Sequence, residues 1–346
     1  MRKKLLFLFL CCGMLACVRK TASETPDPKI SEPEPFVIAF GSCNRQDKEN
    51  VLWEAVLMNK PEVWIWGGDN IYSDTEDMQK MQQDYQQQRE QKGYGDLERS
   101  VTVTGTWDDH DYGVNDGGTE YAKKKESQQL FLDFLKVPDD DERRSREGVY
   151  YARTFTAASG SVKVILLDTR YFRSPLTKAT EGKGPYQPNA YGEGQLLGEQ
   201  QWAWLQGELE NSASDFTIIM SSIQVLSNQH GFETWGNFPH EVVRLKKLLN
   251  TTKAKGVVLL SGDRHISEFS VTGVEGLLYP VVDFTSSGLT HATTNYTGEP
   301  NPYRMGKVIS QISFGLLKIN FKEKKITMQM RGRDNELLQE YTQVYP

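Results

Sequence analysis

Short apolar runs that stop abruptly in small or polar residues recur along the chain. They are Phe36–Phe40 before Gly-Ser-Cys-Asn, Val63–Trp66 before Gly-Gly-Asp-Asn, and Val162–Leu167 before Asp-Thr-Arg. Phe216–Met220 before Ser-Ser-Ile-Gln, Val257–Leu260 before Ser-Gly-Asp-Arg-His, and Pro280–Phe284 before Thr-Ser-Ser-Gly-Leu-Thr-His complete the set. Runs apolar at nearly every position predict strands covered on both faces, because a half-exposed strand alternates. Between them, apolar residues recur at helical spacing. Val51–Leu57 supplies Leu52, Ala55 and Val56; Glu199–Asn211 supplies Trp202, Leu205 and Leu209; Pro239–Leu249 supplies Val242, Leu245 and Leu249. Pro239 suits a first helical position. Strand–helix alternation predicts an α/β fold, with the polar clusters at strand C-termini, where open α/β sheets place their ligands. Ile312–Asn320 and Lys325–Met330 alternate and predict a hairpin; Met78–Gln91, with seven glutamines, predicts a polar surface helix. Asp139–Glu147 (DDDERRSRE) predicts a charged loop. No composition break divides residues 36–346, which are expected to form one domain.

The first 17 residues, MRKKLLFLFLCCGMLAC, are different in kind. Three basic residues precede an apolar run of about 12, too short for the ~30 Å hydrocarbon core of a bilayer and fitting a signal peptide. Met14-Leu15-Ala16-Cys17 resembles a bacterial lipobox. It implies a signal peptide over residues 1–16, cleavage before Cys17 and lipidation of that thiol; a plain secretory signal with a chance cysteine is the alternative. Residues 17–35, rich in proline, form a tether. No later run approaches 18 apolar residues, so membrane attachment is expected through lipid only, on an exported protein of the bacterial envelope, at the periplasmic side or cell surface. Cys11, Cys12 and Cys17 lie in this segment, which leaves Cys43 as the domain's single thiol and excludes an internal disulfide framework. Hydrophobic residues make up 38% and charged residues 25%, proportions of a globular chain. A formal charge of −6 with no strongly basic segment argues against nucleic-acid binding.

Four polar clusters hold metal-ligand chemistry: Gly41-Ser42-Cys43-Asn44, Gly67-Gly68-Asp69-Asn70-Ile71-Tyr72, Trp107-Asp108-Asp109-His110-Asp111, and Ser261-Gly262-Asp263-Arg264-His265. Each alone has an ordinary reading. Asp69 after two glycines could cap a helix, Cys43 could be a small hydrophobe, and His265 a satisfied core histidine. Four adjacent titrating groups at 108–111 could form a solvated turn, but they repel one another unless a cation is near. Three clusters follow the strands above and the fourth follows the alternating run Val101–Thr104. Neighbouring strand ends converge on one pocket, giving about six oxygen, nitrogen and sulfur donors, enough for two metal ions.

The ordered motifs Phe-Gly-Ser-Cys-Asn, Gly-Asp-Asn-Ile-Tyr-Ser-Asp, Trp-Asp-Asp-His-Asp-Tyr-Gly, Leu-Asp-Thr-Arg-Tyr, Ser-Gly-Asp-Arg-His and Thr-Ser-Ser-Gly-Leu-Thr-His span Phe36 to His291. They resemble the PhoD-like (alkaline phosphatase D) branch of the calcineurin-like metallophosphoesterases. The resemblance implies a single-domain, four-layer α/β/β/α sandwich and an iron(III)–calcium pair, with zinc or manganese as alternatives. By motif position it implies Cys43, Asp69, Tyr72 and His265 around the iron, Asp69 bridging, and Asp109 and Asp263 as hard oxygen donors to the second ion. His110 takes the place of the catalytic histidine. Arg264 and Arg170 are candidates for phosphate oxygens, although Asp168-Thr169-Arg170 equally reads as a structural ion pair. Asn70 stands where an aromatic residue often follows the aspartate and is a further substrate-side candidate. No separate N-terminal domain precedes the catalytic one, so the chain resembles a shorter branch.

The expected chemistry is phosphoester hydrolysis by metal-activated water, with His110 protonating the leaving alkoxide, on a small-molecule or lipid phosphoester, monoester or diester. No Gly-x-Ser-x-Gly elbow occurs, which disfavours a serine hydrolase. A phospholipase or envelope phosphodiesterase on the same site is one alternative; a non-catalytic surface-binding lipoprotein is another. His230, Glu233, Trp235 and His240 read either as a surface loop or as a pocket wall with Gln224 at its root. His291 either lines the site or belongs to an ordinary polar loop with Asn295 and Tyr296.

Overall fold

The computed structural model describes residues 34–182 and 184–346. The signal segment 1–16, Cys17 and all but the last two residues of the tether 17–35 lie outside the described residues. In chain order the elements are β1 (Phe36–Gly41), α1 (Trp53–Met58), β2 (Val63–Gly67), α2 (Met78–Arg89), α3 (Tyr94–Ser100), β3 (Thr102–Thr106) and α4 (Asp109–Tyr112). There follow α5 (Lys124–Phe134), β4 (Tyr151–Ala157), β5 (Gly160–Leu166), the short pair β6 (Thr177–Lys178) and β7 (Tyr186–Gln187), α6 (Gly198–Glu210), β8 (Phe216–Met220) and α7 (Pro239–Thr252). The rest are β9 (Val257–Ser261), β10 (Ser267–Thr272), β11 (Val281–Ser286), β12 (Arg304–Ile309), β13 (Phe314–Asn320), β14 (Lys325–Arg331) and β15 (Leu337–Val344).

Two sheets form, in the orders β15-β14-β13-β1-β2-β3 and β12-β10-β11-β9-β8-β5-β4. The chain builds β1, β2 and the edge strand β3 of the first sheet, crosses to the second, then returns for β13 to β15. β1, β2 and β3 run parallel, as do β5, β8, β9 and β11. Alternate side chains of each strand feed different cores. Phe36, Ile38, Phe40, Val63 and Ile65 face the second sheet and meet Val164, Ile218, Val258 and Phe284. Val37, Ala39, Trp64 and Trp66 face outward onto α1, α2, α3 and α5, where Trp53, Tyr85, Tyr94 and Phe134 cover them. On the far side Ile165, Ile219 and Leu259 are covered by Trp202 and Leu205 of α6 and Leu245 and Leu249 of α7. The three cores make the expected four layers, helix–sheet–sheet–helix.

Every expected strand and helix is present within three residues of its anticipated ends, including the hairpin β13–β14. Two details differ. The glutamine-rich α2 is not wholly a surface helix, because Met81, Tyr85 and Gln88 are buried beneath it. The charged loop holds one 3-10 turn, Glu142–Arg144. Among the described residues, no helix is long and apolar enough to cross a membrane.

Candidate metal centre

Parallel strands bring their C-terminal ends together, and the backbone then turns sharply at the candidate ligands. Cys43, Asp69, Asp263 and His265 all have left-handed backbone, with φ of 58°, 52°, 66° and 54°. For a side chain with a Cβ this conformation costs roughly 1–2 kcal/mol per residue, and such strain collects where function requires it. The turns also need very close packing. A Cβ on Gly262 would lie 2.5 Å from Ser42 Oγ, and one on Gly68 would lie 2.5 Å from Asp108 Cβ. Glycine lets the β9 turn touch the β1 turn of the opposite sheet, and the β2 turn touch the neighbouring β3 turn.

The donors meet as the motif order implied. Asp69 Oδ2 accepts from Cys43 Sγ at 3.3 Å and from Tyr72 Oη at 3.2 Å. Tyr72 Oη lies 3.0 Å from His265 Nε2. The other oxygen, Oδ1, faces the backbone N–H of His110 at 3.4 Å. Three donor groups therefore overlap: Cys43, Asp69 and His265; Asp69, Asp109 and His110; Asp108, Asp109 and Asp263, each with atoms within 4.8 Å of one another. Asp69 belongs to two groups, and so does Asp109, which is the arrangement that two neighbouring cations need.

Without cations these groups hold protons. Burial pushes the Cys43 thiol up to about 11, reinforced by the charge of Asp263. Burial likewise raises Asp263 to about 7 and raises Asp69 well above the ordinary carboxylate range, with Cys43 and Asp109 adding to the effect. Asp109 goes the other way. Burial opposes its charge, but Arg170, His110 and the N–H of Asp116 outweigh it and bring it to about 2.

The run Asp108–Asp111 resolves into four separate duties. Asp108 points inward to Arg170 and accepts from Ser222 Oγ at 2.8 Å. Asp109 and His110 face the cavity. Asp111 folds back and accepts from the N–H groups of Asp69 at 3.1 Å and Asp108 at 2.7 Å, clamping two ligand loops together. The repulsion expected of adjacent charges is met by Arg170 on one side and by N–H donors on the other.

Three substrate-side candidates do not reach the cavity. Arg170 is fully buried between Asp108 and Glu233, whose Oε2 is 2.5 Å away; it takes the structural ion-pair reading. Asn70 is fully buried and donates to Thr106 O at 3.0 Å and to Asp111 Oδ2 at 2.5 Å. Gln224 is buried and donates to Glu268 at 2.9 Å and Thr285 at 2.8 Å. All three hold loops in place instead. Arg264 does line the cavity, its guanidinium 2.7 Å from Glu299 and 4.2 Å above the Phe232 ring. Of the patch at 230–240, Glu233 lines the cavity, Trp235 packs into the outer core, and His240 donates to Gly194 O outside it. His291 packs edge-on against Tyr72 and His265, with centroids 5.2 and 4.4 Å away.

One residue lay inside an ordered motif without a role assigned to it. Asp74 sits 2.7 Å from His110 Nδ1 through Oδ2, while the ring stacks on Tyr72 at 4.0 Å. Burial opposes a charge on this imidazole, yet Asp69, Asp74 and Asp109 together raise it to about 10. These carboxylates favour the protonated imidazole. The cavity above it holds about 370 Å³ and is walled by Asn115, Asp116, Pro185, Phe232, Tyr296 and Glu299.

Similar proteins carry the same architecture. The chain is similar to a solved PhoD, with 16% identity, a TM-score of 0.70, and 91% of this chain against 69% of that one covered. It is similar also to a dimetal phosphatase from Danio rerio, with 16% identity, a TM-score of 0.53, and coverage of 91% and 100%. A third likeness is to GAP50, the anchor in the inner membrane complex of Plasmodium, with 12% identity, a TM-score of 0.58, and coverage of 91% and 90%. No curated protein matches the chain. The family model for PhoD-like phosphatases matches residues 38–330, from β1 through every donor loop to β14, and the chain belongs to that family.

Proposed function

We propose that the chain hydrolyses phosphoesters with water as the nucleophile, and that it prefers diesters to monoesters. The donor set fits two resident cations. Cys43, Tyr72 and His265 with Asp69 offer anionic sulfur and oxygen beside nitrogen, a set for a trivalent or borderline ion; Asp109 and Asp263 offer oxygen alone, a set for a hard ion such as calcium. When bound, such a pair activates water and draws charge from the phosphoryl oxygens. The observation that carries the reading is the overlap of three donor groups through Asp69 and Asp109 at the floor of one cavity.

The residues around that floor divide the remaining work. His110, oriented through Nδ1 by Asp74, hands a proton to the leaving oxygen. Arg264 binds a phosphoryl oxygen, held in place by Glu299 and Phe232. The diester preference follows from charge. Asp69, Asp109 and Asp263 are taken up by the cations and Glu233 is paired with Arg170 and Arg173, which leaves Asp116 and Glu299 on the outer wall against one guanidinium, Arg264, which Glu299 already pairs. A singly charged diester meets less repulsion there than a dianionic monoester. Specificity constants for bis(4-nitrophenyl) phosphate and 4-nitrophenyl phosphate, on protein of measured metal content, test both parts. Equal or faster monoester turnover would refute the preference, and full activity after exhaustive chelation would refute the metal-dependent reading. Lipidation at Cys17 and export to the envelope are proposed from the lipobox alone.

A further inference from the structure

The parallel strands have two ends, and the metal centre occupies only one. At the other, before the first residues of β8 and β9, lies a second cavity of about 330 Å³. Phe216, Tyr279 and Tyr345 line it, packed edge to face with centroids 5.1 to 5.4 Å apart along the chain of rings. At its mouth Leu278 is 86% exposed, the most exposed large hydrophobic side chain among the described residues. Lys253, Lys255 and Lys324 also line the cavity and are exposed. Lys324 donates to Pro346 O at 3.0 Å, and the acid beside them, Asp215, accepts from the N–H of Ser161 at 2.8 Å. The chain enters the domain at this same end. Phe36 packs on Phe321 at 6.3 Å, and Phe321 packs on Phe216 at 5.8 Å.

We propose that this end is a docking face for an anionic bilayer surface, with Leu278 entering the interface and the lysines meeting lipid phosphates. An exposed apolar tip in a ring of ammonium groups is complementary to a negatively charged, apolar-cored sheet. The 18 residues between Cys17 and Phe36 reach about 60 Å when extended, so a tether of that length fixes distance loosely and orientation not at all. The face supplies the orientation. Because the cavity lies at the opposite strand ends, docking turns the metal centre away from the bilayer and toward soluble substrates.

The test uses residues 34–346, which contain all three cores and need no anchor. Cosedimentation with vesicles of phosphatidylglycerol and phosphatidylcholine is compared with phosphatidylcholine alone, at low and high salt. Binding to the anionic vesicles, weakened by salt, is expected. Leu278→Asp and the double change Lys253→Glu with Lys255→Glu should each weaken it more than tenfold, with unchanged melting temperature and unchanged turnover of a soluble phosphodiester. Failure to bind anionic vesicles, equal binding to neutral ones, or binding that these substitutions leave intact would overturn the proposal. Turnover is read separately, so a failed metal centre and a failed docking face give different results.

Discussion

His110 and Asp74 answer to different measurements although they share a hydrogen bond. Loss of the imidazole removes the proton that the leaving oxygen receives, so His110→Ala should lower the rate by roughly 10²–10⁴. The loss should be far larger for an alkyl than for a nitrophenyl ester, with bound metal retained. Equal losses on both esters would assign His110 to general charge stabilisation. Asp74→Asn keeps the imidazole but removes the carboxylate that orients and charges it. A loss of about 10–100-fold, typical when such a supporting partner is removed, should come with an alkaline limb moved to lower pH, since Asp74 contributes to the raised value of about 10 and a general acid loses activity once it is deprotonated. Arg170 gives the opposite pattern. It is buried between Asp108 and Glu233, and breaking such a network by removing one partner costs about 3–5 kcal/mol. Arg170→Met should therefore lower the melting temperature steeply, whereas a phosphate ligand would raise KM in a stable protein. Its sequence context allowed both readings, and burial decides between them. Asp74 could not be assigned from sequence, because the partner that gives it meaning lies 36 positions away.

At the scale of elements, the turn after each strand matters more than the strand. Gly262 sits between β9 and two left-handed ligands, Asp263 and His265, with Ser42 pressed against it. Gly262→Ala must push the β9 turn away from the β1 turn. The expected result is loss of bound metal and at least tenfold lower activity with nearly normal secondary structure; normal metal content in a folded variant would show that the turns can separate without harm. The elements themselves were readable to different degrees. Central strands such as β1, β8 and β9 are buried at every position, so they leave an unbroken apolar run that ends where the site begins. β4 and β15, at sheet edges, are mixed in exposure, and neither they nor β10 and β12 leave such a run. Helix α5, KKESQQLFLDF, buries Phe131, Leu132 and Phe134 after a wholly polar first half, which hides its period. The same reasoning covers the site: ligands directly after buried strands were legible, while the supporting duties of Asp111 and Glu233, both named within candidate clusters, depend on partners brought close only by the fold.

For the whole molecule, the metal centre draws Cys43, Asp69 and Asp109 from loops of the first sheet and Asp263 and His265 from the second. Metal loading and global stability are thus linked. In the metal-free protein Cys43 and Asp263 hold protons up to about 11 and about 7. Their raised values favour the apo fold at low pH. For Asp263 that contribution is complete below its ordinary range and disappears as pH rises through 7. Cations replace those protons, so affinity rises with pH over the same interval. The gap in melting temperature between loaded and chelated protein should widen from pH 5 to pH 8; loading stabilises by about 2.7 kcal/mol where free metal reaches a hundred times its dissociation constant. A gap that does not change with pH would show that the ligands are ionised before loading. The shared centre also has a consequence in time. Apolar packing and the buried Asp108–Arg170 pair join the two sheets at their loop ends, and ions held by both act as further cross-links across that seam. The lifetime of the folded protein would then be governed by how slowly an ion escapes, so a brief pulse of chelator and a long one, at equal concentration, should leave very different amounts of protein able to recover.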